Sequence, residues 1–160
     1  MSEPHIPLRH VVATIAYRGA KALRGAPPEF ANFKASPTTR TPVEILAHIG
    51  DLMDTVLWYC QGNRKWRDST PLPWDQEVAR FHAALEALDR QIVAGVAPDL
   101  KHERMFQGPV ADALTHIGQI NMLRRMAGSP VKGEAYFYAP IEPGRVGPDQ
   151  LPPDSKYEFD

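Results

Sequence analysis

The chain is 160 residues long, enough for one compact domain with a proper core and too short to suggest two. Apolar residues make up 43% and charged residues 23%, which excludes a disordered chain; a net charge of -1 with scattered Lys and Arg removes the attraction that drives nucleic-acid or anionic-membrane binding. The N-terminal MSEPHIPLRH has no apolar leader core, no window approaches a membrane span, and the single cysteine fits a reducing compartment, so a soluble, cytoplasmic protein is expected.

Sixteen prolines frame four proline-free windows, 8–26, 43–70, 74–97 and 110–129, the places where helices can survive. In the first, Val11, Val12, Ile15 and Leu23 form an apolar stripe that Gly25 stops. In the second, Thr41-Pro42-Val43-Glu44 reads as a capping box with proline at the first helical position, ahead of a stripe of Ile45, Ile49, Leu52, Met53 and Val56 and a stop at Gly62. Val78, Phe81, Leu85, Leu88 and Ile92 alternate spacings of three and four in the third window, the seam of a bundle helix, before Gly95. The fourth is expected to start at Gly108-Pro109, bury Ala113, Leu114, Ile117, Ile120 and Leu123, and stop at Gly128.

No window alternates with period two over a strand's length, so the expected fold is all-α: a single-domain four-helix bundle over about 7–128 with long connections at 26–41, 63–73 and 96–108. The tail, 129–160, is proline-rich and largely irregular; Tyr136, Phe137 and Tyr138 suggest that it packs along the bundle, and its last ten residues are compatible with either packing or disorder. The densest basic groups, RKWR at 64–67 and Arg124-Arg125, read as solvated loop and helix end. Cys60 closes the apolar run VLWYC and reads as a small core hydrophobe rather than a nucleophile.

Three polar residues break the apolar faces. His48 fills a slot in the second stripe between Ile45 and Leu52; His116 falls inside the apolar arc of the fourth helix, and Asp112, one turn earlier, lies at its margin on the same side. A hydrogen-bonded core pair would account for Asp112 with His116 but leaves His48 over. Metal sites in bundles are built from inward-facing side chains on different helices, and two imidazoles with one carboxylate leave a coordination position open. Both readings, a metal site and a metal-free polar network, follow from the residues. Arg18, three residues after Ile15, reads first as an arginine with a buried stem and a surface head, and second as a guanidinium that could meet an anionic substrate group; Asp51 and Gln119, within a turn of the candidate ligands, could hold their free ring nitrogens. His82 reads as core or boundary.

TPVEILAHIGDLMD at 41–54, together with FQGPVADALTHIGQINMLRRMAGSPVKGE at 106–134, resembles the DinB/YfiT-like superfamily of metalloenzymes, with a looser likeness over nearly the whole chain. The resemblance implies a four-helix bundle, commonly a homodimer, holding a divalent metal such as nickel or zinc on three histidines, one from the second helix and two, four apart, from the fourth. His48 matches the first and His116 the last; the middle position is Asp112 here, so the implied ligand set is His48, Asp112 and His116. Characterised relatives imply a small-molecule substrate and a low-molecular-weight thiol, in S-transfer or hydrolysis. The contrasting expectation is a metal-free bundle acting in binding or dimeric interaction.

Overall fold

The computed structural model describes residues 7–160; the first six, part of the segment read above for a leader, lie outside the described residues. It is an all-α helical bundle of four long helices: α1 (Leu8–Leu23), α2 (Pro42–Cys60), α3 (Trp74–Ala94) and α5 (Ala111–Met126), with a one-turn α4 (His102–Met105) ahead of the last. The ends follow from local chemistry. At α2 the Thr41 hydroxyl accepts from the Glu44 amide at 3.4 Å and the Glu44 carboxylate accepts from the Thr41 amide at 2.7 Å, which satisfies two amides that a helix start leaves without partners. Gly25, Gly62, Gly95 and Gly128 all take positive φ (69°, 79°, 125° and 78°), so each helix stops where a Cβ would be strained.

The fourth long helix starts where Gly108-Pro109 was expected to start it: Gly108 is non-helical (φ -96°, ψ -105°) and Pro109 follows it at the first helical position. What was not expected is the short helical segment ahead of it, which begins with α4 at His102 and ends at the kink at Gly108. Pro109 is the physical reason for the break: its ring clashes with the carbonyl four residues back and it has no N–H to give, so the short segment cannot run through it, whereas the first position of a new helix accepts it.

In space α1 packs on α3 and α5, and α2 packs on the same two, so α1 and α2 stand across the core from each other. That diagonal explains the long first connection. It carries a 3-10 turn, Pro28–Asn32, whose Phe30 is 1% exposed and meets the Trp74 ring edge-on at 5.6 Å. The interior is filled by the expected stripes, among them Ile15, Ile49, Met53, Phe81, Leu85 and Ile117, all buried; each contributes about 1.5–3 kcal/mol of burial before chain entropy is subtracted.

The α2–α3 seam is fastened by charge. Asp51, 2% exposed, accepts from the Ser69 amide at 2.8 Å and hydroxyl at 2.6 Å and pairs with Arg80, whose guanidinium also reaches the Ala47 carbonyl at 3.2 Å and Glu77 at 3.3 Å. Burial pushes the Asp51 carboxyl up, and the Ser69 and Arg80 bonds more than offset it, holding the group below its ordinary range.

The tail is a strap. Glu134 is buried and accepts from the Tyr17 hydroxyl at 2.8 Å and from Lys21 at 2.6 Å, while Lys21 also donates to Glu158 at 2.8 Å. The chain end is therefore tied to α1 through Glu158, and two strands form where none was expected: β1 (Gly133–Glu134) pairs antiparallel with β2 (Glu158–Phe159) in the register Gly133 to Phe159 and Glu134 to Glu158. Two-residue strands are too short to show alternation. Arg124 is a second correction. Read as a solvated helix end, it is 4% exposed and donates to the carbonyls of Ala22 (2.9 Å), Arg24 (3.0 Å) and Ser129 (2.8 Å), collecting acceptors that the ends of α1 and α5 leave free. His82 is core, as read, with its Nδ1 on the Val146 carbonyl at 3.3 Å. No helix among the described residues is long and apolar enough to cross a membrane.

Candidate metal centre

The contact between α2 and α5 brings His48, Asp112 and His116 together. Each offers one donor atom, and the three atoms lie within 4.8 Å of one another, a group that could hold a metal ion. Each helix sets its residue by rotation alone: His48 stands between the buried Ile45 and Leu52, and His116 precedes the buried Ile117. The His48 side chain is 20% exposed and that of His116 13%, whereas Asp112 at 45% forms the solvent side of the group. The two imidazoles meet edge to face, with centroids 4.8 Å apart.

Asp112 divides its carboxylate between the rings. Oδ2 lies 3.2 Å from His48 Nε2 and Oδ1 lies 3.3 Å from His116 Nε2. On the far side of His116, Nδ1 faces the Gln119 amide oxygen at 2.7 Å, a contact that places the ring proton on Nδ1. Nε2 then turns a lone pair toward a carboxylate oxygen, so two acceptors face each other. A cation between them relieves this, either a second ring proton or a metal. Donors at about 2.0–2.1 Å from a tetrahedral zinc stand about 3.3 Å from each other; two separations here, 3.2 and 3.3 Å, are close to that, and the group as a whole, within 4.8 Å, would contract around an ion. Two imidazoles and a carboxylate are also donors of the right class for zinc or nickel.

Of the remaining residues singled out in the sequence, Gln119 touches the site and the other two do not. Asp51 points to Ser69 and Arg80 on the α3 side. Arg18 lies over the Tyr136 ring of the tail, 4.0 Å from its centroid, and does not line the cavity beside the three donors. Cys60 is 1% exposed, and burial pushes its thiol up to about 11.

The structure adds residues that the sequence reading missed. Trp66, half exposed, stands edge-on to His48 at 5.7 Å. It comes from the second connection, which is held back against α2 by Ser69 on Asp51 and by Arg67 on Asp54. On the other side the donors open into a cavity of about 920 Å³ whose walls include Ile45, Met122, Leu123 and Met126, with Thr39 and Arg40 at its rim. A wall of mixed apolar and polar groups around a few convergent donors is the usual character of a small-molecule site. The chain matches no family model, no curated protein and no solved structure, so the meaning of this site rests on its own geometry and chemistry.

Proposed function

We propose that the chain is a metal-dependent enzyme of the DinB-like type, in which His48, Asp112 and His116 hold a divalent ion, zinc or nickel, and a small molecule reacts in the adjoining cavity. The observation that carries this reading is the convergence of three donors from two helices on the wall of a cavity of about 920 Å³. Held by three protein donors with a position left open, such an ion supplies Lewis acidity that makes a bound thiol or water a nucleophile near neutral pH. The chain's own residues supply the rest. Gln119 fixes the ring orientation and tautomer of His116. Trp66 shields the outer edge of His48, and Ile45, Met122, Leu123 and Met126 receive the apolar part of the substrate.

With Cys60 buried and its thiol pushed up to about 11, the nucleophile comes from outside the chain, as water or as a low-molecular-weight thiol, and the reaction is hydrolysis or S-transfer in the cytoplasm. Assembly as a homodimer belongs to the same reading. Met122 and Met126 stand more than half exposed at the cavity, and sedimentation as a monomer at micromolar concentration would remove that part.

A second reading has an observation of its own: Asp112 already lies within hydrogen-bond distance of His48 Nε2 and close to His116 Nε2, as a metal-free polar network in a binding protein would require. Metal content separates the two. Protein purified without a metal-affinity tag should carry close to one zinc or nickel per chain by elemental analysis, and His48→Ala protein should carry none. Untagged wild-type protein free of bound metal, and unable to take up zinc or nickel on dialysis, favours the network.

A further inference from the structure

Beyond the three donors, a second cleft of about 610 Å³ opens at the end of α2, and three of its lining residues are cations: Arg64, Lys101 and Arg104. Two separate connections build it. The chain after α2 and the chain before α4 are joined where the Ala97 amide donates to the Cys60 carbonyl at 2.7 Å and a Cβ at Gly62 would touch that of Ala97 at 3.6 Å. This junction brings Arg64 from one connection beside Lys101 and Arg104 from the other. None of the three pairs with a carboxylate among the described residues, and Asp99 is the one acid lining the cleft, which leaves it with two positive charges in excess. In a chain whose net charge is -1, that is a local departure.

The cleft is joined to the donor site by a third depression. Tyr59, Gln107 and Pro109 line both it and the basic cleft, while Asp112 and Thr115 line both it and the cavity of the metal centre. Arg104 and Asp112 stand eight positions apart in the chain, on either side of the kink at Gly108. Trp66 lies along this path between the two ends.

We infer that the site takes an elongated small molecule that carries an anionic oxygen group, carboxylate or phosphate, at the end opposite its reacting atom: the anion sits on Arg64, Lys101 and Arg104 while the reacting end reaches His48, Asp112 and His116. The inference rests on the function proposed above for the donor end and names the substrate class for it. Guanidinium and ammonium groups form charge-assisted hydrogen bonds with such oxygens, and Arg does so through two parallel bonds. The groove accounts for selectivity as well, because an anion too short to span it gains one end only.

The test uses the full chain loaded with zinc and titrated by calorimetry with 8-mercaptooctanoate and with 8-mercaptooctan-1-ol, which share a thiol and a chain long enough for the groove and differ in the terminal charge. The acid should bind about tenfold more tightly than the alcohol. That preference should vanish in the Lys101→Gln, Arg104→Gln double variant and persist in Arg90→Gln, which removes an exposed charge from α3 outside the cleft. Equal binding of acid and alcohol, or a preference that survives the double variant, overturns the inference. A chain that takes up no zinc instead fails the proposed function, and the anion end is then read on the chelated protein. There pyrophosphate should shift the nuclear magnetic resonance signals of residues 62–64 and 99–104 in the wild type and not in the double variant, and unshifted wild-type signals overturn it.

Discussion

Asp112→Ala, followed with and without zinc, separates a metal centre from a polar network because its two consequences differ in size. Without metal, Asp112 makes two contacts, at 3.2 and 3.3 Å, from a side chain that is 45% exposed. Ion pairs so open to solvent contribute about 0.2–1 kcal/mol each, so the chelated variant should lose no more than about 1–2 kcal/mol. With metal, the wild type gains the free energy of binding to the folded state, about 2.7 kcal/mol when free zinc stands a hundredfold above its dissociation constant. For a domain of this size, about 2–4 °C of melting temperature accompanies each kcal/mol, so zinc should raise the wild-type midpoint by about 5–10 °C. The assay is a melting curve at neutral pH after chelation, with and without added zinc, for wild type and variant. Zinc should move the wild type by that amount and Asp112→Ala by far less. A wild-type midpoint that zinc leaves in place refutes the metal centre, and so does an equal shift in both proteins, since the ion would then be bound elsewhere.

Asp112→His should preserve or tighten zinc binding, because it offers a third imidazole from the same position; loss of zinc on calorimetric titration would show that the carboxylate is needed for the site to close. In the core, a Cβ added at Gly19 would lie 2.4 Å from Phe81 Cζ, whereas nothing stands within 4 Å of one at Gly118. Gly118→Ala should gain about 1 kcal/mol of helix propensity, and Gly19→Ala should lose about 1–3 kcal/mol to overpacking against that same gain; urea midpoints in the reverse order would contradict the packing. With its thiol at about 11, Cys60 should be about one part in a thousand thiolate at pH 8. Native protein should therefore react with a thiol reagent only slowly and denatured protein at once, and rapid native labelling would show the helix end to be open. Burial lowers the His82 pKa, a shift that the Val146 carbonyl and Glu86 oppose in part, so the folded state favours the neutral ring. Its stabilising contribution is complete above the unfolded value of about 6.5 and declines as pH falls toward the folded value. Urea unfolding of chelated protein at pH 7.5 and 5.5 should show a smaller loss in His82→Gln than in wild type, and identical losses would exclude this residue as the cause.

The helices were legible because two independent signals coincide on each: an apolar repeat and a residue that stops it. Gly25, Gly62, Gly95 and Gly128 adopt positive φ where the stripes end, and the Thr41–Glu44 box sits where one begins. The start of α5 was legible from Gly108-Pro109, whereas the short helical segment ahead of it was not, because no apolar repeat marks it and it depends on Met105 being buried, 3% exposed, against the rest of the core. The β1–β2 pair joins residues more than twenty positions apart through two-residue strands, and it is fixed by Glu134 and Glu158 sharing Lys21, a meeting that no local pattern encodes.

The site divides along the same line. His48, Asp112 and His116 were found because each departs from the apolar face of its own helix, and a face is a property of one helix. Which neighbour that face meets is a property of two. Asp51 and Arg18 show the difference: each stands three residues after an inward-facing position, His48 and Ile15, and at 100° per residue three steps rotate a side chain 60° short of a full turn. That rotation carries Asp51 to Ser69 and Arg80, and Arg18 to the Tyr136 ring. Gln119 is also three residues from its partner, yet it reaches His116, because the long amide lies along the same open flank of α5 and no charged group from another helix draws it away. Proximity in sequence therefore nominates neighbours of a candidate donor, and the charges on the facing element decide which of them stay: Arg80 holds Asp51 away from the three donors, and Gln119, lacking such a partner, remains on the His116 ring.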